Sequence, residues 1–242
     1  MKSIYKILAF AFALLSALVV GYLAGSIYLG FGLFAMAVVF SFVPQDGEVA
    51  YALICGLVGA NQGPDCDFPL VGGADDRLYL YNFSEIAGYT LNATNKEIVE
   101  AITMVALKKG FSYDGQNYST QPRWRYVEGP FAGAFEHEVE FLVFNYTGAI
   151  KKELLALSKA KLVAVTLSNF RGDDGDAAYH IFGSQAGMKV VEMEQDFNSD
   201  IQGAIRVKIK SNPKGLEGSI PKSVFITDYA TTNTMVVGTI TP

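Results

Sequence analysis

The chain has 242 residues and a formal net charge of −5, and half of its residues are hydrophobic. That length can bury a sizeable core. The lysines are scattered rather than striped, so the chain lacks the basic face that a phosphate backbone requires, and nucleic acid is excluded as a partner.

The hydrophobic residues are unevenly spread. Lys2 and Lys6 precede a run from Ile7 to Val43 that contains no Asp, Glu, Lys, Arg or His, and 17 of the 19 Lys and Arg lie from Arg77 onward. As one helix, those 37 residues would reach roughly 55 Å, against a hydrocarbon core of roughly 30 Å. The expectation is a retained apolar helix over residues 1–43 that spans a membrane or packs in a filament core. The leading lysines would keep its start cytoplasmic and place the remainder outside. Ala24-Gly25-Ser26 offers a signal-peptidase alternative, and Gly21-x-x-x-Gly25 has the spacing of close helix packing. Residues 44–76, rich in Gly and Asp, read as a neck. Cys55 and Cys66 lie within it, and in an oxidising compartment they would close a short disulfide loop; two free thiols are the alternative.

From residue 77 to 242 strand signals dominate, and an extracytoplasmic β-rich domain is expected. Strands are predicted over Leu78–Phe83, Glu138–Asn145, Lys161–Phe170, Met188–Glu194, Ala204–Lys210, Ser223–Asp228 and Met235–Thr241. Ile205, Val207 and Ile209 alternate with Arg206, Lys208 and Lys210, the pattern of a sheet with one wet face. Thr94-Asn95-Lys96-Glu97 spells a capping box, and Ile98, Ala101, Ile102 and Val105 follow as one stripe, with Gly110 as C-cap; a helix is predicted there. A second helix is predicted over Ala149–Ala160, with Leu154, Leu155 and Leu157 inward. The fold class is therefore a long N-terminal apolar helix followed by a sandwich-like α+β domain.

Candidate sites are sparse. Sequons stand at Asn82, Asn92, Asn117 and Asn145, which makes a glycosylated surface the expectation. Asp173, Asp174 and Asp176 surround Gly175. Closely spaced carboxylates at a turn suit Ca²⁺, and a solvated turn is the competing reading. Glu136, Glu138 and Glu140 share one face of a strand, with His137 on the other; they read as a cation site or a charged sheet face. His180 reads as packed or surface-lying rather than catalytic. The rings of Tyr113–Tyr126 could stack sugars or a neighbouring subunit, and core or interface packing is the competing reading. The chain has no G-x-S-x-G elbow, H-E-x-x-H, P-loop or dinucleotide fingerprint. No catalytic residue and no cofactor other than Ca²⁺ is assigned.

The plan of a long apolar N-terminal helix and a β-rich head resembles a type IV pilin of the archaeal kind in architecture, although no Lys-Gly or Arg-Gly peptidase site precedes the apolar run. The resemblance implies a non-enzymatic surface protein that is anchored or polymerised and whose partners are lipid or copies of itself. The alternative expectation is a membrane-attached binding or accessory subunit, Ca²⁺-dependent through Asp173–Asp176.

Overall fold

The structure is a computed structural model that describes residues 70–129, 133–198, 201 and 203–241. The chain divides into two units, Met1–Gly63 and Pro64–Pro242, and every described residue belongs to the second. In chain order that unit contains β1 (Ala74–Asn82), a 3-10 turn (Phe83–Glu85), β2 (Ile86–Leu91), β3 (Ile98–Met104), β4 (Phe111–Asp114), β5 (Gln121–Val127) and β6 (Ala134–Val143). Helix α1 (Gly148–Leu157) follows, then β7 (Leu162–Ser168), β8 (Tyr179–Phe182), β9 (Met188–Gln195), β10 (Ile205–Ser211), β11 (Lys222–Val224) and α2 (Tyr229–Gly238).

The strands form one hydrogen-bonded sheet of 11, in the order β2-β3-β11-β8-β7-β9-β10-β6-β5, with β1 pairing both β4 and β7. A single bridge, Leu162 to Met188, joins β7 to β9. At that point the sheet folds over into two leaves. β1, β7 and β8 contribute Leu78, Leu80, Leu162, Ala164 and Phe182 to a core that also holds Val139 and Phe141 of β6, Met188 of β9 and Ile205, Val207 and Ile209 of β10. Tyr113 of β4 meets Phe141 edge to face across this gap, with ring centroids 5.4 Å apart. The opposite face of β1, β7 and β8 carries Tyr79, Tyr81, Val163, Val165, Tyr179 and Ile181, and Val236 of α2 packs on it. β7 is thus covered on both faces, which explains why Leu162–Leu167 is apolar except at Thr166; strands with one wet face alternate instead.

The expected fold class is corrected. Among the described residues no helix is long and apolar enough to cross a membrane. Both helices are ten residues long, and the domain is a β-sandwich, not an α+β fold. The apolar run over residues 1–43, most of the neck and Cys55 with Cys66 lie outside the described residues. Membrane anchoring and a disulfide therefore find no support in the domain, whose described residues contain no cysteine. The end of the neck is also moved, because β1 already begins at Ala74.

The helix predicted after Thr94 is strand β3, paired antiparallel with β2 and parallel with β11. The capping-box groups are engaged elsewhere. Asn92 Oδ1 accepts the Thr94 and Asn95 N–H groups, and Glu97 pairs with Lys222 Nζ at 2.9 Å. Gly110 is no helix cap. Its backbone bridges Thr239 and Thr241, and a Cβ there would lie 2.6 Å from the Tyr81 ring. At the C-terminus, Met235–Gly238 of the predicted strand Met235–Thr241 form the end of α2, and Ile240 makes only an isolated bridge to Gly110. Asp228, expected at the end of a strand, is the N-cap of α2 and accepts the Thr231 N–H at 2.8 Å. In α1, Leu154 and Leu157 are buried as expected, but Leu155 is exposed.

Candidate functional site

The outer leaf β9-β10-β6-β5 presents a face of charged columns. β6 places Glu136, Glu138 and Glu140 outward, because its alternate residues Val139 and Phe141 fill the core. In register with them stand Arg125 and Arg123 of β5, and Lys210 and Lys208 of β10. On the far side of β10, Arg206 faces Glu194 and Lys208 faces Glu192 of β9. The columns thus read positive, negative, positive, negative from β5 to β9.

Arg123 bonds Glu138 and Glu140, each at 3.2 Å; Lys210 reaches Glu136 at 3.0 Å and Lys208 reaches Glu192 at 3.0 Å. Burial raises the Glu136 pKa, but hydrogen bonds from Arg125 and Lys210 outweigh it and leave the carboxyl below its usual range. Glu136, Glu138 and Glu140 are thereby neutralised by cations on both sides, so a charged sheet face describes them and a metal site does not. Individually such pairs contribute little, because solvent screens them. Together they fix register, since a one-residue slip would bury every one of these charges.

The outermost columns are exposed, and their ion pairs all run inward to the neighbouring strand. Arg123 and Arg125 side chains are 53% and 68% exposed, and Glu192 and Glu194 are 43% and 50% exposed, whereas the central glutamates are at most 17% exposed. β5 ends the strand path. Trp124 and Tyr126 alternate with its arginines and stand half-exposed, edge to face with Phe135. Arg123, Arg125, Glu192 and Glu194 were missed in the sequence, where the charges of β6 and β10 were visible as alternations but their partners across the sheet were not.

A second cluster lies buried where the sheet folds over. Glu217, 1% exposed, accepts the Gln185 and Ala186 N–H groups, each at 2.9 Å. His137, also 1% exposed, accepts the Gly183 N–H at Nδ1 (3.1 Å) and so donates from Nε2 to the Ser219 carbonyl at 3.0 Å. Gly183 has φ +75°, and a Cβ there would meet Met188 Cγ at 2.9 Å. Residues 217–219 therefore pin the β8–β9 corner. His137 is a structural acceptor and donor here.

Burial lowers the pKa of His137 against the opposing pull of Glu217 and the Ser219 carbonyl; burial likewise lowers that of His180 against Ala177 and Asp176. Both groups bind protons more readily in the unfolded chain, so stability falls as pH drops below about 6.5 toward the lowered folded values. The melting temperature is expected to fall between about pH 7 and pH 5, and His137→Gln with His180→Asn to flatten that slope. The carboxylates with lowered pKa, Glu85, Glu136 and Asp228, act at lower pH. An unchanged slope in the double variant would exclude the histidines as its source.

Asp173, Asp174 and Asp176 are exposed, and no group of three or more His, Cys, Asp or Glu placed to hold a metal ion occurs among the described residues. Of the sequons, Asn82 and Asn92 donate to Glu85 and Glu100 and are half-buried, whereas Asn117 and Asn145 are exposed. Comparison with protein-family models, with curated proteins and with solved structures finds no match to this chain.

Proposed function

We propose that this protein is a non-enzymatic structural subunit that joins copies of itself head to tail through the two edges of its charged leaf. The observation that carries the reading is the complementarity of the two sides of that leaf: an arginine column on β5, which ends the strand path, and a glutamate column on β9, which is bridged to β7 at Met188 alone, both exposed. Every step from β5 through β6 and β10 to β9 is antiparallel, so β9 runs opposite to β5. A copy related by translation would therefore set its β9 antiparallel to β5 and continue both the sheet and the alternation of charge. The two edges differ, which makes the contact heterologous, and a heterologous contact repeated by translation propagates without closing. Trp124 and Tyr126 supply the apolar area that the charges alone lack. An extracytoplasmic location belongs to this reading and is supported by the exposed sequons Asn117 and Asn145.

Sedimentation of the full-length chain tests it. Oligomers should grow with concentration at low salt and shrink at about 0.5 M salt, where charges are screened within a few ångström. Arg123→Glu with Arg125→Glu should abolish them, as should Glu192→Lys with Glu194→Lys. Mixing the two variants should restore assembly, since each then meets the opposite charge. A monomer at every concentration, or variants that do not rescue one another, would mean that the charged edges keep copies apart.

A further inference from the structure

Residues 73–74, the segment leading into β5 and the β7–β8 pair enclose a cleft of about 460 Å³, within the range of small-molecule sites of about 300–1,000 Å³. Thr166, Ser168, His180 and Phe182 form its floor, Thr120 stands in its wall and Tyr118 at its lip. No Asp, Glu, Lys or Arg lines it. The Thr166 hydroxyl has no partner within the protein among the described residues, although the residue is 1% exposed. That hydroxyl is available only to what enters the cleft.

Tyr118 is held in place at a cost. The Ser119 N–H donates to the Gln116 carbonyl at 3.1 Å, closing a four-residue turn in which Asn117 and Tyr118 both have positive φ, 54° and 59°. Asn tolerates this conformation, but for Tyr it is strained and Gly would be the relaxed choice. Asp76 fixes the turn, accepting the Ser119 N–H at Oδ1 (2.8 Å) and the Thr120 hydroxyl at its carbonyl (3.1 Å). The ring gains little burial in return, since Tyr118 is 67% exposed. An aromatic face has been fixed in advance beside a set of neutral hydrogen-bonding groups.

We infer that this cleft binds an uncharged saccharide, with Tyr118 stacking on a sugar ring and the Thr166 hydroxyl bonding a ring hydroxyl. A sugar offers both an apolar C–H face for the tyrosine and hydroxyls that donate and accept. A charged ligand would find no counter-ion in the lining. The cleft borders one assembly edge, because Gln121 and Pro122 of β5 line it, but none of Arg123, Arg125, Glu192 and Glu194 does.

Calorimetry and saturation-transfer NMR of the full-length protein with chitohexaose, cellohexaose, mannohexaose and oligogalacturonate test the inference. At least one neutral oligosaccharide should bind. Tyr118→Ala should weaken it about tenfold, the loss of one aromatic contact, and Tyr118→Phe should not. Thr166→Val should also weaken it with the melting temperature unchanged, because that hydroxyl supports nothing inside the fold. Tyr118→Gly should bind poorly yet melt higher, through release of the turn strain. Binding of none of the neutral sugars, binding of the oligogalacturonate alone, or undiminished, wild-type affinity in Thr166→Val and Tyr118→Ala would overturn the assignment.

Discussion

Glu217→Ala is expected to cost about 3 kcal/mol, because it leaves two buried N–H groups without acceptors. The carboxylate has no substitute: Gln185 and Ala186 both donate to it at 2.9 Å, and the residue is 1% exposed. In a domain of this size that corresponds to a fall in melting temperature of about 6–12 °C. Glu217→Gln keeps the volume but offers one acceptor where two are needed, so it should lie between wild type and Ala. Thermal denaturation of the three proteins at neutral pH decides the matter. If Gln melts with wild type, the corner is held by packing and the carboxylate is dispensable. The damage should also be local at first, with amide exchange in residues 183–187 accelerating before that of β1 and β7.

Phe141→Ala is expected to destabilise by about 3–5 kcal/mol, the range for emptying a buried aromatic site. Phe141 is 1% exposed and lies between the leaves, edge to face with Tyr113 across the gap. Its removal takes away volume that neither leaf can recover without moving as a unit. Phe141→Leu should cost far less, since the cavity is smaller. Urea denaturation gives both values. A small loss for Ala would mean that the leaves collapse onto one another readily and that their separation is not set by this pair. The proposed assembly face lies on the other side of β6, so Phe141→Leu should leave the oligomers intact.

The strands that the sequence made legible were those with a single dominant environment. Glu138–Asn145 and Ala204–Lys210 were readable as strands because one face is apolar and the other charged, and β6 and β10 stand there. Lys161–Phe170 was readable from a dense β-branched run, which burial on both faces explains. The errors fell where local chemistry and tertiary chemistry compete. The capping box at Thr94 has the right letters, but Asn92 and Lys222 take its groups and β2 and β11 take its backbone. α2 is rich in Thr and Val, weak helix formers. It is helical because Asp228 caps it and Val236 finds a buried place over β1 and β7.

The candidate sites divide in the same way. The three glutamates of β6 were correctly placed on one face opposite His137, since strand alternation is a property of the chain alone. Their meaning was not readable. Arg123 lies 15 residues away from Glu138 in sequence and Lys210 lies 72 away, yet both stand opposite it in the sheet. Of the proposed saccharide cleft only the aromatic stretch Tyr113–Tyr126 was visible, because Tyr118, Thr166 and His180 come from three separate segments.

The sequence by itself determined that this is a β-rich chain with wet-faced strands, an acidic balance and no familiar catalytic motif, because periodicity and composition are local. Only the tertiary structure decided that the strands form one folded-over sheet, that its charges alternate from edge to edge, and that Glu217 and His137 serve the corner. Those outcomes depend on which strands pair and in what register, and pairing is settled by burial and hydrogen bonding between segments far apart in the chain.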